Sequence, residues 1–307
     1  MKRILVIGAS GSQGGEVLKE LLKRNQYKIR ALMRKETEFS QSLKTKRVEI
    51  VIGDLNDENS LEKAMEDAYG VFSVLAANYT GDPDLETKQE KNIVEALEKQ
   101  KVEILVHASV ARAGDEENFV DWKQEHRTSI YHLYWKNKRG TIEDIKKSKI
   151  PHWVIFKPAM MMDNFLKGRN STVPDVKNEF IENNVKLETK IDYTSAYDQA
   201  QFIADALENI NKYDKKEIDL ACESLTYTEI GNIFEKIFNK KVKHIYVPAE
   251  ELEKRENKGK YYLAIIDSFE WDNIEGYKVD LEKVKSYGVK QTSFEEFCKK
   301  NKDNIDI

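Results

Sequence analysis

Gly8, Gly11 and Gly14 recur at three-residue intervals in VIGASGSQGGEVLKELL, residues 6–22, with Gly15 beside the last of them. Glycines at this spacing let a backbone turn tightly and approach a ligand closely, because no Cβ stands in the way. The run MKRILVIG leads in, and Val17, Leu18, Leu21 and Leu22 lead out at helical spacing. Strand, glycine turn and helix together make a phosphate cradle, in which main-chain N–H groups and the helix dipole face an anion. In that reading Gly8 permits the turn, Gly11 lets the backbone approach a pyrophosphate, and Gly14 lets helix and strand pack closely. A tight strand-to-helix turn also uses glycine for structural reasons alone, so the neighbouring positions must decide.

A dinucleotide site places the group that reads the adenosine ribose about 20 residues beyond the glycines. That position is Arg34, followed by Lys35. An acid there would hold the 2′-hydroxyl of NAD, whereas arginine suits the 2′-phosphate of NADP through charge-assisted, bidentate bonds. The expected cofactor is therefore NADP(H) rather than NAD(H). Against this, basic residues also end strands in lysine-rich proteins, and Glu36 and Glu38 lie close by. Asp54, in IVIGDLND, is placed to accept from an adenine amino group or to start a turn; Leu55 follows it. Ala76, Ala77 and Asn78 come after the fourth strand, where small side chains leave room beside the adenosine.

The elements that must hold these residues alternate. Strands are expected at 4–8, 29–34, 48–54, 71–76, 103–109 and 152–158, several of them apolar throughout, as strands buried on both faces read. Leu85, Gln89, Ile93, Ala96 and Leu97 mark one face of a helix over 85–99, and SLEKAMEDA, 60–68, reads as a shorter helix capped by Ser60. Strands alternating with helices imply right-handed crossovers and an α/β fold: a Rossmann-type, doubly wound parallel sheet. Ligands of such sheets sit at the carboxyl ends of the strands, where the glycine turn lies. After Pro158 the rhythm fails. The expected organisation is a dinucleotide-binding domain over 1–157 and a smaller C-terminal α+β lobe over 158–307, with the helix at 196–210 returning to the first domain.

Composition narrows the function. Fifty basic and 54 acidic side chains give a net charge of −4, so no basic footprint for nucleic acid exists. Cys222 and Cys298 are the only cysteines, which leaves no disulfide framework and no cysteine-rich zinc site. His126 and His132 share no metal-ligand spacing, and no metal is expected. No stretch approaches the roughly 18 apolar residues of a membrane span, so the expectation is a soluble, cytoplasmic chain with its mature fold starting at residue 1.

Together these segments resemble the NmrA-like family of atypical short-chain dehydrogenase/reductases. The resemblance is carried by VIGASGSQGGEVLKELL, KIRALMRK, VEIVIGDLNDENSLEKAMEDAYGVF, ETKQEKNIVEALEKQKVEILVHAS, KPAMMMDNFL, LTYTEIG and GYKVDLEKVKSYGVKQTSFEEF. It implies a Rossmann-type domain, a small C-terminal lobe and a bound cofactor. Members divide between reductases of quinones or aromatic compounds and co-regulators that sense the nucleotide without reducing anything. Ser10 stands where the family often has threonine, and Lys157-Pro158 where it has arginine-proline. Residues 111–130, ARAGDEENFVDWKQEHRTSI, depart from the pattern.

The resemblance also implies a chemistry. Short-chain reductases use a tyrosine hydroxyl as general acid, with a lysine four residues on that lowers its pKa and binds the nicotinamide ribose. YWKNK supplies Tyr134 and Lys138, which a helix would place on one face. In a chain with 14 tyrosines and lysine at roughly an eighth of all positions, one or two such matches arise by chance, so its place before the sixth strand carries the weight. Ser109, ending the fifth strand, sits where a polarising hydroxyl would. The cofactor-binding set is thus Gly8, Ser10, Gly11, Ser12, Gln13, Gly14, Arg34, Lys35, Asp54, Leu55, Ala76, Ala77, Asn78, Ser109, Lys138 and Pro158, with Tyr134 and Lys138 as the catalytic pair. Trp122, Tyr131, Met161, Asn164 and Phe165 form the expected substrate wall, suited to a flat apolar molecule such as a quinone. The same residue types also build ordinary cores.

Three functions fit. One is an NADPH-dependent oxidoreductase acting on a small apolar quinone or carbonyl compound. Another is a non-catalytic redox sensor that works through a regulatory protein partner. A sugar-nucleotide epimerase keeps the tyrosine and lysine but uses NAD, so Arg34 counts against it.

Overall fold

The computed structural model describes residues 1–307 apart from 45–47, 78–81, 121, 123–127, 169–178, 256–259 and 306–307. Its contacts divide the chain into two compact units. The first holds residues 1–114, 136–157 and 196–218; the second holds 115–135, 158–195 and 219–307.

The first unit opens with β1 (Arg3–Val6), α1 (Ser12–Arg24), β2 (Lys28–Met33), α2 (Glu38–Lys44), β3 (Val48–Ile52) and α3 (Glu58–Met65). It continues with β4 (Gly70–Val74), α4 (Leu85–Lys99), β5 (Ile104–Ala108), the part of α5 (Ser129–Lys147) from residue 136 on, and β6 (His152–Pro158) up to residue 157. The next strands of the chain, β7 (Met160–Met161), β8 (Phe180–Asn183) and β9 (Ile191–Thr194), lie in the second unit. The chain then returns through α6 (Ala196–Glu208), α7 (Ile210–Tyr213) and β10 (Lys216–Leu220).

Among the described residues, seven strands form the main sheet in the order β10-β6-β5-β4-β1-β2-β3. The pairs from β3 through to β6 are parallel. The order reverses at β1: the chain winds outward to β3, then crosses to β4 on the other side of β1. That switch opens a crevice at the carboxyl ends of β1 and β4. Ile4, Leu5, Val71, Leu105, Val106, Val154 and Ile155 are fully buried, as strands covered on both faces require.

α1 buries Gly14, Val17, Leu18 and Leu21 and packs against α6. The end of α1 is tied there by Arg24, which donates to Glu208 at 2.9 Å, and by Tyr27, whose hydroxyl donates to the Leu207 carbonyl at 2.9 Å. One expected element end is corrected. The cap of α3 is Asp57, which accepts from the Asn59 and Ser60 amides, and not Ser60. Ser60 lies inside the helix, and its hydroxyl donates back to the carbonyls of Asp54 and Asp57. An aspartate three residues earlier was free to take the capping role, which is worth about 1 kcal/mol.

The second unit pairs β9 in parallel with β7 and antiparallel with β11 (Glu223–Leu225). A separate parallel pair joins β8 to β12 (Lys243–Tyr246). Around these strands lie α8 (Tyr227–Phe238), α9 (Ala249–Glu253), α10 (Lys260–Ile274), α11 (Leu281–Ser286) and α12 (Phe294–Lys300). Thr226 and Ser293 begin α8 and α12 with reciprocal capping boxes to Glu229 and Glu296. Met162, Phe165, Tyr193, Phe234 and Phe294 are central in its core.

Among the described residues, no helix is long and apolar enough to cross a membrane.

Candidate dinucleotide site

A cleft of about 590 Å³ opens in the first unit where the sheet order reverses. The glycine turn supplies Gly8, Ser10, Gly11, Ser12, Gln13 and Gly14; the end of β2 supplies Arg34; the end of β3 supplies Asp54 and Leu55; the end of β4 supplies Ala76 and Ala77. The three glycines differ in what they do. Gly8 has φ +76°, the left-handed region that glycine favours, and a Cβ there would lie 2.7 Å from Val74. A Cβ on Gly14 would lie 2.2 Å from the Gly8 oxygen and 2.5 Å from its carbonyl carbon, so only glycine lets α1 rest on the end of β1. Gly11 caps α1 in an ordinary extended conformation, and a Cβ there would meet only the Gly8 oxygen, at 3.3 Å. Its surroundings leave space for a ligand.

The first-turn N–H groups of α1 have no intrahelical acceptor and no capping side chain, as an anion site needs. Gln13 adds a buried amide oxygen without a hydrogen-bond partner on the cleft wall. Arg34 is exposed, and among the described residues it makes no hydrogen bond or ion pair. Asp54 has one carboxylate oxygen engaged, accepting from the Asn56 amide and side chain at 2.8 Å each. It is thus both a turn residue and a cleft residue.

Lys35, Ser109, Lys138 and Pro158 do not line this cleft. Lys35 is exposed beyond Arg34, and Pro158 is the buried last residue of β6. Ser109 is buried at the end of β5 with its hydroxyl unpartnered. Asn78 lies outside the described residues.

Lys138 is 6% exposed and forms a buried ion pair with Glu86 of α4. Beside this pair, burial pushes Glu90 up to about 8, and the neighbouring Glu86 and Asp144 add to the shift while Lys138 opposes it. Burial, followed by the Lys138 charge, lowers His107 to about 3. Both shifts favour the uncharged forms, which weakens their 3.7 Å contact as an ion pair. His107 instead shares a 2.8 Å hydrogen bond with Ser73.

A model of the NmrA-like family matches residues 1–298. The chain belongs to the NmrA-like family. It is 23% identical over 311 residues to an NmrA-like family domain-containing protein of Dictyostelium discoideum, covering 99% of each chain. Among solved structures it resembles an NADPH-dependent quinone oxidoreductase of Escherichia coli, complexed with NADPH, at TM-score 0.77 and 17% identity over 98% of this chain and 100% of that one. It also resembles NmrA, a negative transcriptional regulator in complex with NADP, at TM-score 0.77 and 13% identity over 97% and 94%. That regulator has been solved with NAD as well. At such identities the likeness carries the fold.

In this NmrA-like chain Tyr134 and Lys138 share helix α5. Tyr134 is half-buried, with its ring edge-on to Trp135 at 5.3 Å. In the second unit, Trp135 packs with Phe119 and Trp271 at 5.1 Å each, while Trp122 lies 6.3 Å from Tyr131. Phe165 is part of that unit's core, against Phe294 at 5.0 Å. Met161 is half-buried on β7, and Asn164 donates to the Met160 sulfur at 3.4 Å.

Sequence reasoning missed Leu32, Met33, Gly53, Asn56, Val74, Leu75, Leu85 and Gln89, all of which line the cleft. Most are the last residues of β2, β3 and β4 or immediate neighbours of those ends. The rule that ligands sit at strand carboxyl ends was signal enough to name them.

Proposed function

We propose that this chain binds NADP(H) in the cleft of the first unit and reduces a small apolar quinone or carbonyl compound. The observation that carries the reading is a glycine-lined crevice with the unpaired guanidinium of Arg34 at the end of β2. The Gly11 position and the α1 N-terminus suit the pyrophosphate, and Arg34 suits the 2′-phosphate. Gln13 offers its buried oxygen to a ligand donor, and Asp54 and the two alanines face the adenosine. Bound NADPH would supply a hydride, and the substrate would take a proton from Tyr134 or from solvent.

Calorimetry tests the cofactor. NADPH should bind about tenfold or more tightly than NADH, since a few charge-assisted bonds to the 2′-phosphate at about 1.5–3 kcal/mol each exceed that margin. Arg34→Ala should remove most of the preference and leave NADH binding nearly unchanged. Equal affinities in the unaltered protein would sink the role of Arg34.

Turnover tests the reaction. If Tyr134 is the acid, Tyr134→Phe should cut carbonyl reduction by about 10² while barely changing NADPH affinity. The engagement of Lys138 with Glu86 favours a quinone, because hydride transfer to a quinone needs no fixed acid beside the ring. Activity that survives Tyr134→Phe therefore supports quinone reduction. Bound NADPH that no quinone, aldehyde or ketone oxidises would instead mark a sensor, acting on a protein partner by linkage.

A further inference from the structure

We propose that the buried Glu86–Lys138 pair is a clamp that positions the α4 wall of the nucleotide cleft, so that Lys138 acts through α4 and not on the nicotinamide ribose. The inference rests on the nucleotide reading above. Two consecutive residues of α5 grip the start of α4. Asn137 donates to the Pro83 carbonyl at 2.9 Å and accepts from the Thr87 hydroxyl at 3.2 Å, and Lys138 pairs with Glu86. Glu86 is 2% exposed, so its carboxylate would be left buried without a countercharge if Lys138 were removed.

The other side of α4 reaches the cleft. Leu85 and Gln89 line it directly. Gln89 also donates to the Asn56 side chain at 3.3 Å, and Asn92 donates to the Leu55 carbonyl at 2.9 Å. Leu55 and Asn56 are cleft residues themselves. A shift of α4 would therefore move two residues of its own and two of the loop after β3. α5 thus sets the adenosine wall through α4 without touching a ligand.

A lysine has three donors, so a ribose contact beside Glu86 must be separated by experiment. The probes are NADP⁺ and 2′,5′-ADP, which lacks the nicotinamide ribose. The variants are Glu86→Met, Lys138→Met and the double replacement, each followed by calorimetry and thermal unfolding. A clamp predicts that each single change weakens both ligands alike, by about tenfold or more, and that the double replacement recovers to within about threefold, since apolar isosteres can replace a buried pair. Loss of NADP⁺ binding with 2′,5′-ADP unaffected in Lys138→Met, persisting in the double variant, would overturn the clamp and make Lys138 a ribose ligand. Unchanged affinities in both single variants would overturn it too. Should the single variants fail to fold, the double variant decides: binding of both ligands supports the clamp, and loss of NADP⁺ alone refutes it. Failure of the unaltered protein to bind either probe belongs to the nucleotide reading and is seen before any variant is made.

Discussion

Gly14→Ala should yield a protein that folds poorly or not at all. The added methyl would sit 2.2 Å from the Gly8 oxygen, 2.5 Å from the Gly8 carbonyl carbon and 2.9 Å from the Ala9 nitrogen. All three are backbone atoms, so no rotamer change relieves the overlap. α1 would have to lift off the end of β1, disturbing the packing of Val17, Leu18 and Leu21, all of which are buried. Overpacking of a rigid contact costs about 3 kcal/mol or more. Urea unfolding followed by circular dichroism measures it. A variant of unchanged stability would mean that the strand-to-helix turn is looser than described.

Gly11→Val, three residues earlier, should do the opposite: keep the fold and lose the ligand. The backbone there, at φ −85° and ψ 176°, is open to any residue, and a Cβ meets only one atom, at 3.3 Å. The stability cost is roughly 1 kcal/mol, mostly from a poorer helix cap. The branched side chain would occupy the space expected for a pyrophosphate and hold it away from the α1 N–H groups. NADPH affinity should fall by about 100-fold or more, or roughly 2.7 kcal/mol. Fluorescence titration with NADPH beside a melting curve checks both halves. Normal binding with normal melting would reduce the glycine run to a structural turn.

The sheet was legible because its strands are continuous apolar runs separated by helical spacing, and all six expected strands of the first half are present. The glycine turn and Arg34 were legible as neighbours for a related reason: both stand at strand carboxyl ends, which this sheet order gathers around one cleft. Lys138 was legible only as far as its helix. Its partner Glu86 lies 52 residues away, and no local pattern announces a buried pair of that kind. The aromatic and methionine-rich segment around Phe165 stayed ambiguous because core packing and a pocket wall ask for the same side chains. Ser60 misled for a simpler reason, since serine and aspartate compete for the same capping geometry.

The first unit is written in three stretches, and its α1 packs on a helix that arrives very late. Arg24 and its partner Glu208 are 184 residues apart in the chain. At about 5–20 residues per second of synthesis, α1 waits on the order of 10–40 s on the ribosome before α6 is made. Through that interval the apolar face that α6 will cover is in water or against whatever else is at hand. The nascent chain thus carries an uncovered apolar face, open to misassociation, on the very helix whose N-terminus would later hold a cofactor.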